Sequence, residues 1–338
     1  MVRNSSNYNT SERICYPFTQ VWPNRGELGP AYTTATIIEA LLVIPTSVEN
    51  FLVVAGIWKT RSLHSPANFL ICVLAISDMG VGIAVLPFHI AANMYALYTD
   101  FSPWCDATRI AYGIGVFFAC VSLVTITAIS IERVAALYWA LTYESFASNN
   151  KVALFVIITW PGSALLSLLQ YFDISTYKIL AAAISFLCFV ASTIGCFKIY
   201  QVVHHHRTQI RHQESVTKTS CNRVAEATRD RAAIAKRRKS SLAMLLLYGL
   251  FVLCYTPYVS VQLVMLFGLD NGFIQAWEIT TVSIVFVNSV LNPLLYCWRM
   301  RDIRRAMMSV LPWHAPYSES NNSVTYFDRT IQGSVINT

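Results

Sequence analysis

The sequence predicts an all-α integral membrane protein, a seven-transmembrane-helix bundle with a short amphipathic eighth helix on the inner membrane surface. The chain of 338 residues is 55% hydrophobic and only 13% charged, whereas soluble domains have about 25% charged residues. Its apolar residues form long runs, and about 20 consecutive apolar residues cross the hydrocarbon layer as a helix. Lipid offers the backbone no hydrogen-bond partners, so such runs are expected to be helical. The runs cover roughly residues 33–58, 67–92, 106–132, 151–170, 177–200, 240–268 and 276–298.

The runs divide the chain into four parts, namely an extracellular N-terminal arm at 1–32, the seven-helix transmembrane domain at 33–298, an amphipathic helix at 299–311 and a disordered cytoplasmic tail at 312–338. In 299–311, apolar residues alternate with arginines at helical spacing, which is typical of a helix lying on a membrane surface. The tail is rich in Ser, Thr and Asn and poor in residues that build a core.

The distribution of positive charge predicts the orientation. Of the 25 Lys and Arg residues, 20 fall after the first, third, fifth and seventh runs or in the tail. Cytoplasmic loops carry the excess of positive charge, so the N-terminus is expected outside the cell and the C-terminus in the cytoplasm of a multi-pass plasma-membrane protein. Asn4 and Asn9 begin glycosylation sequons on the outer arm. Cys15 and Cys105 are the cysteines expected to face the oxidising exterior, and we expect them to pair.

Several polar residues lie at similar depth inside the predicted spans. Asp78 is in the middle of the second, where an ionised group costs about 2.5–3.5 kcal/mol on insertion scales. The polar residues at comparable depth are Asn50, Ser122, Asn288, Ser289 and Asn292. One carboxylate among hydroxyl and amide oxygens suits a sodium ion, and a hydrogen-bonded cluster that holds the helices together is the alternative. Glu39 and Glu49 also fall inside the first span, and the sequence assigns them no role.

The inner ends of the spans carry a candidate conformational switch. Glu132 and Arg133 lie where the third span meets the cytoplasm, and an ion pair at the membrane interface is the simplest interpretation. Pro257 and Pro293 interrupt the sixth and seventh spans. Two such kinks beside a buried polar cluster favour a switch over simple packing.

These residues together resemble the rhodopsin-like (class A) G-protein-coupled receptors over about residues 33–311. The matching motifs occur in order: Asn50, Leu74-Ala75 with Asp78, Glu132-Arg133, Trp160, Cys254 with Pro257, and Asn292-Pro293-Leu294-Leu295-Tyr296. The resemblance implies that Arg133 engages a G protein when the sixth helix moves outward, supported by Tyr200 and Tyr296. It also implies an allosteric sodium ion at Asp78, Ser122, Asn288 and Asn292, and a switch role for Tyr255 at the base of the ligand cavity.

Within that family, segments 49–54, 57–79 and 136–143 are similar to the melanocortin, lysophospholipid, cannabinoid and adenosine receptor cluster, as is the short second outer loop at about 171–176. Gly115 stands where amine receptors have an aspartate, and Phe286 stands at the retinal-binding lysine of opsins. An apolar ligand cavity is therefore expected around Gly115, Ala119, Tyr255 and Phe286. It favours a lipid or small apolar ligand, with a peptide or nucleoside as alternatives.

The predicted function is that of a G-protein-coupled receptor for an unidentified extracellular ligand, acting through a heterotrimeric G protein. A non-signalling decoy receptor and an ion-coupled transporter are the alternatives, the latter with Asp78 and Glu49 in an ion path. No internal repeat supports a transporter, and no catalytic motif indicates an enzyme. The resemblance further implies arrestin and receptor kinases as partners, besides membrane lipids. No cofactor apart from the sodium ion is expected, and no binding to nucleic acid.

Overall fold

The computed structural model describes residues 14–15, 20–21, 23–138, 148–214, 221–268 and 271–311. A two-residue hairpin, β1 (Ile14–Cys15) with β2 (Gln20–Val21), precedes the helices. The long helices are α1 (Arg25–Lys59), α2 (Pro66–Tyr98), α3 (Phe101–Tyr138), α4 (Asn149–Phe172), α5 (Ile174–Glu214), α6 (Cys221–Leu266) and α7 (Gly272–Arg299). The short helix α8 (Arg301–Met308) follows α7 directly.

The predicted fold class is confirmed. Among the described residues, seven helical segments are long and apolar enough to cross a membrane, one in each of α1 to α7. The eighth helix is also present, although it covers Arg301–Met308 and not the whole of 299–311. Its buried side chains are Ile303, Ala306 and Met307, so one face is apolar and the other carries charge.

The helices extend past the apolar runs, because hydropathy marks only the part of a helix that suits hydrocarbon. α1 begins at Arg25 and not near residue 33, since the Asn24 side chain caps it by accepting a hydrogen bond from the Gly26 amide at 3.2 Å. The first helix thus includes residues 25–32, which were predicted to belong to the arm. α5 continues to Glu214 and α6 begins at Cys221, well beyond their apolar runs.

The helix α2 departs from regular α-helical geometry near its middle. α2 contains a π-helical turn at Val81–Val85, just before Pro87. The wider turn accommodates a proline that cannot donate a hydrogen bond and clashes with the preceding turn.

The connection between α4 and α5 consists of Asp173 alone. Its carboxylate accepts hydrogen bonds from the amides of Ser175 and Thr176 and from the Thr176 hydroxyl, which lower the pKa of Asp173.

One end of the bundle, which we call the disulfide end, is covered by the hairpin. Cys15 forms a disulfide with Cys105 of α3. The Cys15 side chain is fully buried and packs against Ala96 and Trp104. Arg25 ties the start of α1 to the end of α2 by donating from Nε to the Ala96 carbonyl at 3.0 Å.

The opposite end, which we call the α8 end, has α8 docked against α1. The approach is close at Gly56, where an added Cβ would lie 2.8 Å from backbone atoms of Ala306 and Met307. Lys59 also donates from Nζ to the Ser309 carbonyl at 2.8 Å. The main core of buried apolar side chains lies on this side of the bundle and includes residues of α1, α2, α3, α6, α7 and α8.

Candidate functional site

A cavity of about 850 Å³ opens at the disulfide end and is lined by residues from all seven long helices. Ligand-binding cavities typically measure about 300–1,000 Å³ and concentrate a few polar groups among apolar ones. The hairpin contributes to one wall indirectly, because Trp104 and Tyr32 line the cavity and belong to the cluster that surrounds Cys15. The arm and the disulfide therefore fix part of the cavity wall.

The cavity does not include the residues predicted to line it. None of Gly115, Ala119, Tyr255 and Phe286 is among its lining residues. Phe286 is buried against Val81, Val85 and Leu86, and the Tyr255 ring stacks on Phe251 with centroids 4.3 Å apart. The role of these four residues in ligand binding therefore stays a prediction.

The cavity is also more polar than predicted. Its lining includes Glu278 of α7, Lys178 of α5 and Gln262 of α6. Gln262 Nε2 donates to the Glu278 carboxylate at 3.0 Å. The sequence contains a signal for this, because Glu278 is an acid inside the seventh apolar run and Lys178 is the basic residue that follows the short second outer loop.

Glu39, which the sequence left without a role, is fully buried beneath the cavity. Its carboxylate accepts hydrogen bonds from His89 Nδ1 at 2.9 Å, Asn93 Nδ2 at 3.1 Å and the Ser283 hydroxyl at 2.8 Å. His89 and Asn93 themselves line the cavity. One acid of α1 thus joins α2 and α7 and orients two polar side chains at the cavity wall.

The predicted polar cluster lies inside the bundle around Asp78, which is 1% exposed. Asn292 Nδ2 donates to Asp78 Oδ2 at 2.8 Å. Ser122 shares a hydrogen bond of 2.9 Å with the hydroxyl of Ser77, the residue before Asp78. A role for Ser122 in holding an ion stays a prediction.

Three amide oxygens of this cluster are buried without a hydrogen-bond partner among the described residues. They are the Oδ1 atoms of Asn50, Asn288 and Asn292. The amide nitrogen of Asn50 is satisfied by the carbonyls of Thr46 and Ser289, at 2.9 and 3.0 Å. Buried oxygens normally have a partner, so a carboxylate with several orphaned oxygens nearby fits a small hard cation.

Glu132 and Arg133 form an ion pair near the α8 end of α3. Arg133 Nε lies 3.1 Å from Glu132 Oε2, and their side chains are only 13% and 10% exposed. An arginine held by its own neighbour and shielded from water needs a change in its surroundings before it can contact another protein.

The remaining switch residues do not all lie together. Tyr296 is fully buried in the main core, whereas Tyr200 is 58% exposed on α5. The support that both tyrosines would give Arg133 when the sixth helix moves outward stays a prediction. Pro257 and Pro293 lie within α6 and α7, and both helices continue through them.

Seven spanning helices, a cavity at one end and a shielded arginine at the other define the class of a seven-helix membrane receptor. The chain belongs to the 7 transmembrane receptor (rhodopsin family), whose family model matches residues 49–296. Members of this family are receptors and not enzymes. The chain is accordingly a multi-pass membrane protein of the G-protein-coupled receptor class.

Relatives within the family are distant. The chain is 23% identical to the histamine H2 receptor of Canis lupus familiaris over 300 residues, covering 82% of this chain and 79% of that protein. It is 22% identical to the 5-hydroxytryptamine receptor 1B of Oryctolagus cuniculus over 338 residues, covering 81% and 85% respectively. Neither relative is of the melanocortin, lysophospholipid, cannabinoid or adenosine type, so membership of that cluster stays a prediction.

Proposed function

We propose that the protein is a receptor that binds an extracellular ligand in its cavity and promotes nucleotide exchange on a heterotrimeric G protein at the α8 end. The observation that carries the proposal is the Glu132–Arg133 pair, with side chains 10% and 13% exposed respectively, at the opposite end of the bundle from a cavity of about 850 Å³. A ligand can shift the equilibrium between two conformations only through contacts that differ between them. Residues of all seven long helices line the cavity and are available to contact a ligand.

In the proposed orientation the disulfide end faces the exterior of the cell, in the plasma membrane. Disulfides form in oxidising compartments, which supports placing Cys15 and Cys105 outside. The basic segment at about 201–239, which includes the ends of α5 and α6, then faces the cytoplasm and anionic lipid headgroups. The sequons at Asn4 and Asn9 and the tail at 312–338, where kinases and arrestin are expected to act, lie outside the described residues.

The proposed movement is an outward swing of the inner half of α6. Pro257 removes one backbone hydrogen bond from α6 and gives the helix a point about which to bend. Phe251 and Leu247, on the inner side of Pro257, are buried in the main core and would have to leave part of it. Ligand contacts to Tyr258 and Gln262, on the other side of Pro257, would supply the differential binding.

We further propose that sodium binds at Asp78 and favours the resting conformation. Asp78 and Asn292, with the amide oxygens of Asn50 and Asn288, would hold the ion. When bound, it would supply a positive charge that compensates the buried carboxylate.

Sodium is expected to raise the melting temperature of the purified receptor in lipid nanodiscs, relative to choline at equal ionic strength. A ligand at tenfold excess over its Kd stabilises by about 1.4 kcal/mol. In Asp78→Asn, which keeps the shape of the side chain but removes the charge, the sodium effect should disappear. Equal sodium responses in the native and variant receptors would refute the site.

The proposed function is tested by nucleotide exchange on purified G proteins of each Gα class. The receptor is supplied in nanodiscs, with and without pooled lipids, peptides, amines and nucleosides, and empty nanodiscs serve as the control. Exchange that exceeds the control for at least one class supports the proposal. No exchange with any class or pool would contradict it and favour a decoy, whereas ion flux in proteoliposomes would favour a transporter.

A further inference from the structure

The permanent charges of the cavity are few and opposite in sign. Among the described residues that line it, Glu278 is the only acid and Lys178 the only lysine or arginine. His89 also lines the cavity, but its Nδ1 is committed to the buried carboxylate of Glu39. A ligand with a single charge would be attracted to one of the two side chains and repelled by the other.

Glu278 is arranged to receive a cation. Its carboxylate accepts a hydrogen bond from Gln262 at 3.0 Å, and the tyrosines Tyr32 of α1 and Tyr258 of α6 are part of the same cavity wall. All three of these neighbours line the cavity together with Glu278. A carboxylate beside aromatic rings suits an ammonium group, because the ring faces attract cations as well.

Lys178 lies on a different wall. It belongs to α5 and Glu278 to α7, and α6 packs between these helices, against both. Tyr258 of α6 lines the same cavity as the two charged residues. The two charges therefore lie on walls built by helices that α6 separates, and a ligand that meets both needs its own charges apart.

We propose that the cavity binds a small zwitterion with separated charges, its ammonium group held by Glu278 and its carboxylate by Lys178. Short peptides with free termini and ω-amino acids have this chemistry. This inference rests on the proposed function, because it names the ligand class of that same cavity.

The test is thermal stability of the purified receptor in nanodiscs with pooled dipeptides and a series of ω-amino acids. The best member is then compared with its N-acetyl and C-amide forms on the native receptor, Glu278→Gln and Lys178→Gln. We expect N-acetylation to weaken binding to the native receptor roughly tenfold or more. It should have no further effect on Glu278→Gln. Likewise, the C-amide form should bind the native receptor more weakly than the zwitterion and show no further loss of binding on Lys178→Gln.

Two surface variants serve as controls, Glu27→Gln on α1 and Lys151→Gln on α4, since both side chains are exposed and neither lines the cavity. They should bind the zwitterion as the native receptor does. The proposal is overturned when no zwitterion stabilises the native receptor, or when N-acetylation weakens binding equally in the native receptor and Glu278→Gln. The comparison of the zwitterion with its N-acetyl and C-amide forms on the native receptor tests the proposal even where a variant fails to fold.

The thermal stability experiment contains no G protein. A negative result would therefore count against the zwitterion site only, and the proposed function would still be tested by the exchange assay. If the receptor binds the zwitterion but promotes no nucleotide exchange, the proposed site is supported and the proposed signalling function is contradicted.

Discussion

Arg133→Ala is expected to reduce G-protein activation roughly thirtyfold or more at matched surface expression. Arg133 lies at the α8 end of α3, and its charge is held by Glu132 with little exposure to water. When such an arginine pairs with a group of the G protein in a buried interface, removing it costs about 2–5 kcal/mol of binding free energy. The measurement is the rate of nucleotide exchange on the G protein identified with the native receptor.

Arg61→Ala is the matched control, because Arg61 is an exposed arginine in the short turn that follows α1, outside the Glu132–Arg133 pair. It should exchange nucleotide at the native rate. Glu132→Gln weakens the restraint on Arg133 and is expected to raise exchange in the absence of ligand. Native-level exchange by Arg133→Ala would show that the receptor contacts its G protein by other residues.

Glu39→Leu is expected to destabilise the receptor by about 2–3 kcal/mol, judged from the 0.6–1.7 kcal/mol of single hydrogen bonds between membrane helices. The variant removes the one acceptor shared by His89, Asn93 and Ser283, and so breaks polar contacts from α1 to both α2 and α7. Buried donors left without an acceptor add to the loss. The measurement is the melting temperature in nanodiscs, together with the amount of receptor at the cell surface.

Glu39→Gln should fall between the native receptor and Glu39→Leu, because an amide retains one oxygen as an acceptor. Glu27→Gln removes an exposed acid of the same helix and should melt at the native temperature. A native melting temperature for Glu39→Leu would show that the hydrogen bonds of this carboxylate are offset by the cost of burying it.

The fold could be predicted from the sequence because its cause is local. A run of about 20 apolar residues becomes a spanning helix in lipid whatever its neighbours are. The short helix α8 could also be predicted locally, because its apolar residues recur at helical spacing among charged ones. The helix ends were less predictable, since they depend on polar segments such as the cap at Asn24.

The polar cluster was partly predictable. Asp78 and Asn292 stand out as polar residues at one depth of a bilayer, and the structure joins them at 2.8 Å. Depth does not determine rotation about the helix axis, however. The hydrogen bond between Ser122 of α3 and Ser77 of α2 was therefore not predicted.

The sequence alone thus determined the class of the protein, its seven spans and the residues that are costly to place in lipid. Only the tertiary structure decided where the cavity lies and which charges line it. Lys178, Tyr258 and Glu278 come from three different helices, and the arm that fixes the wall at Trp104 is held by a disulfide across 90 residues. Their meeting depends on how the helices rotate and pack, which is a property of the whole bundle and not of any one segment.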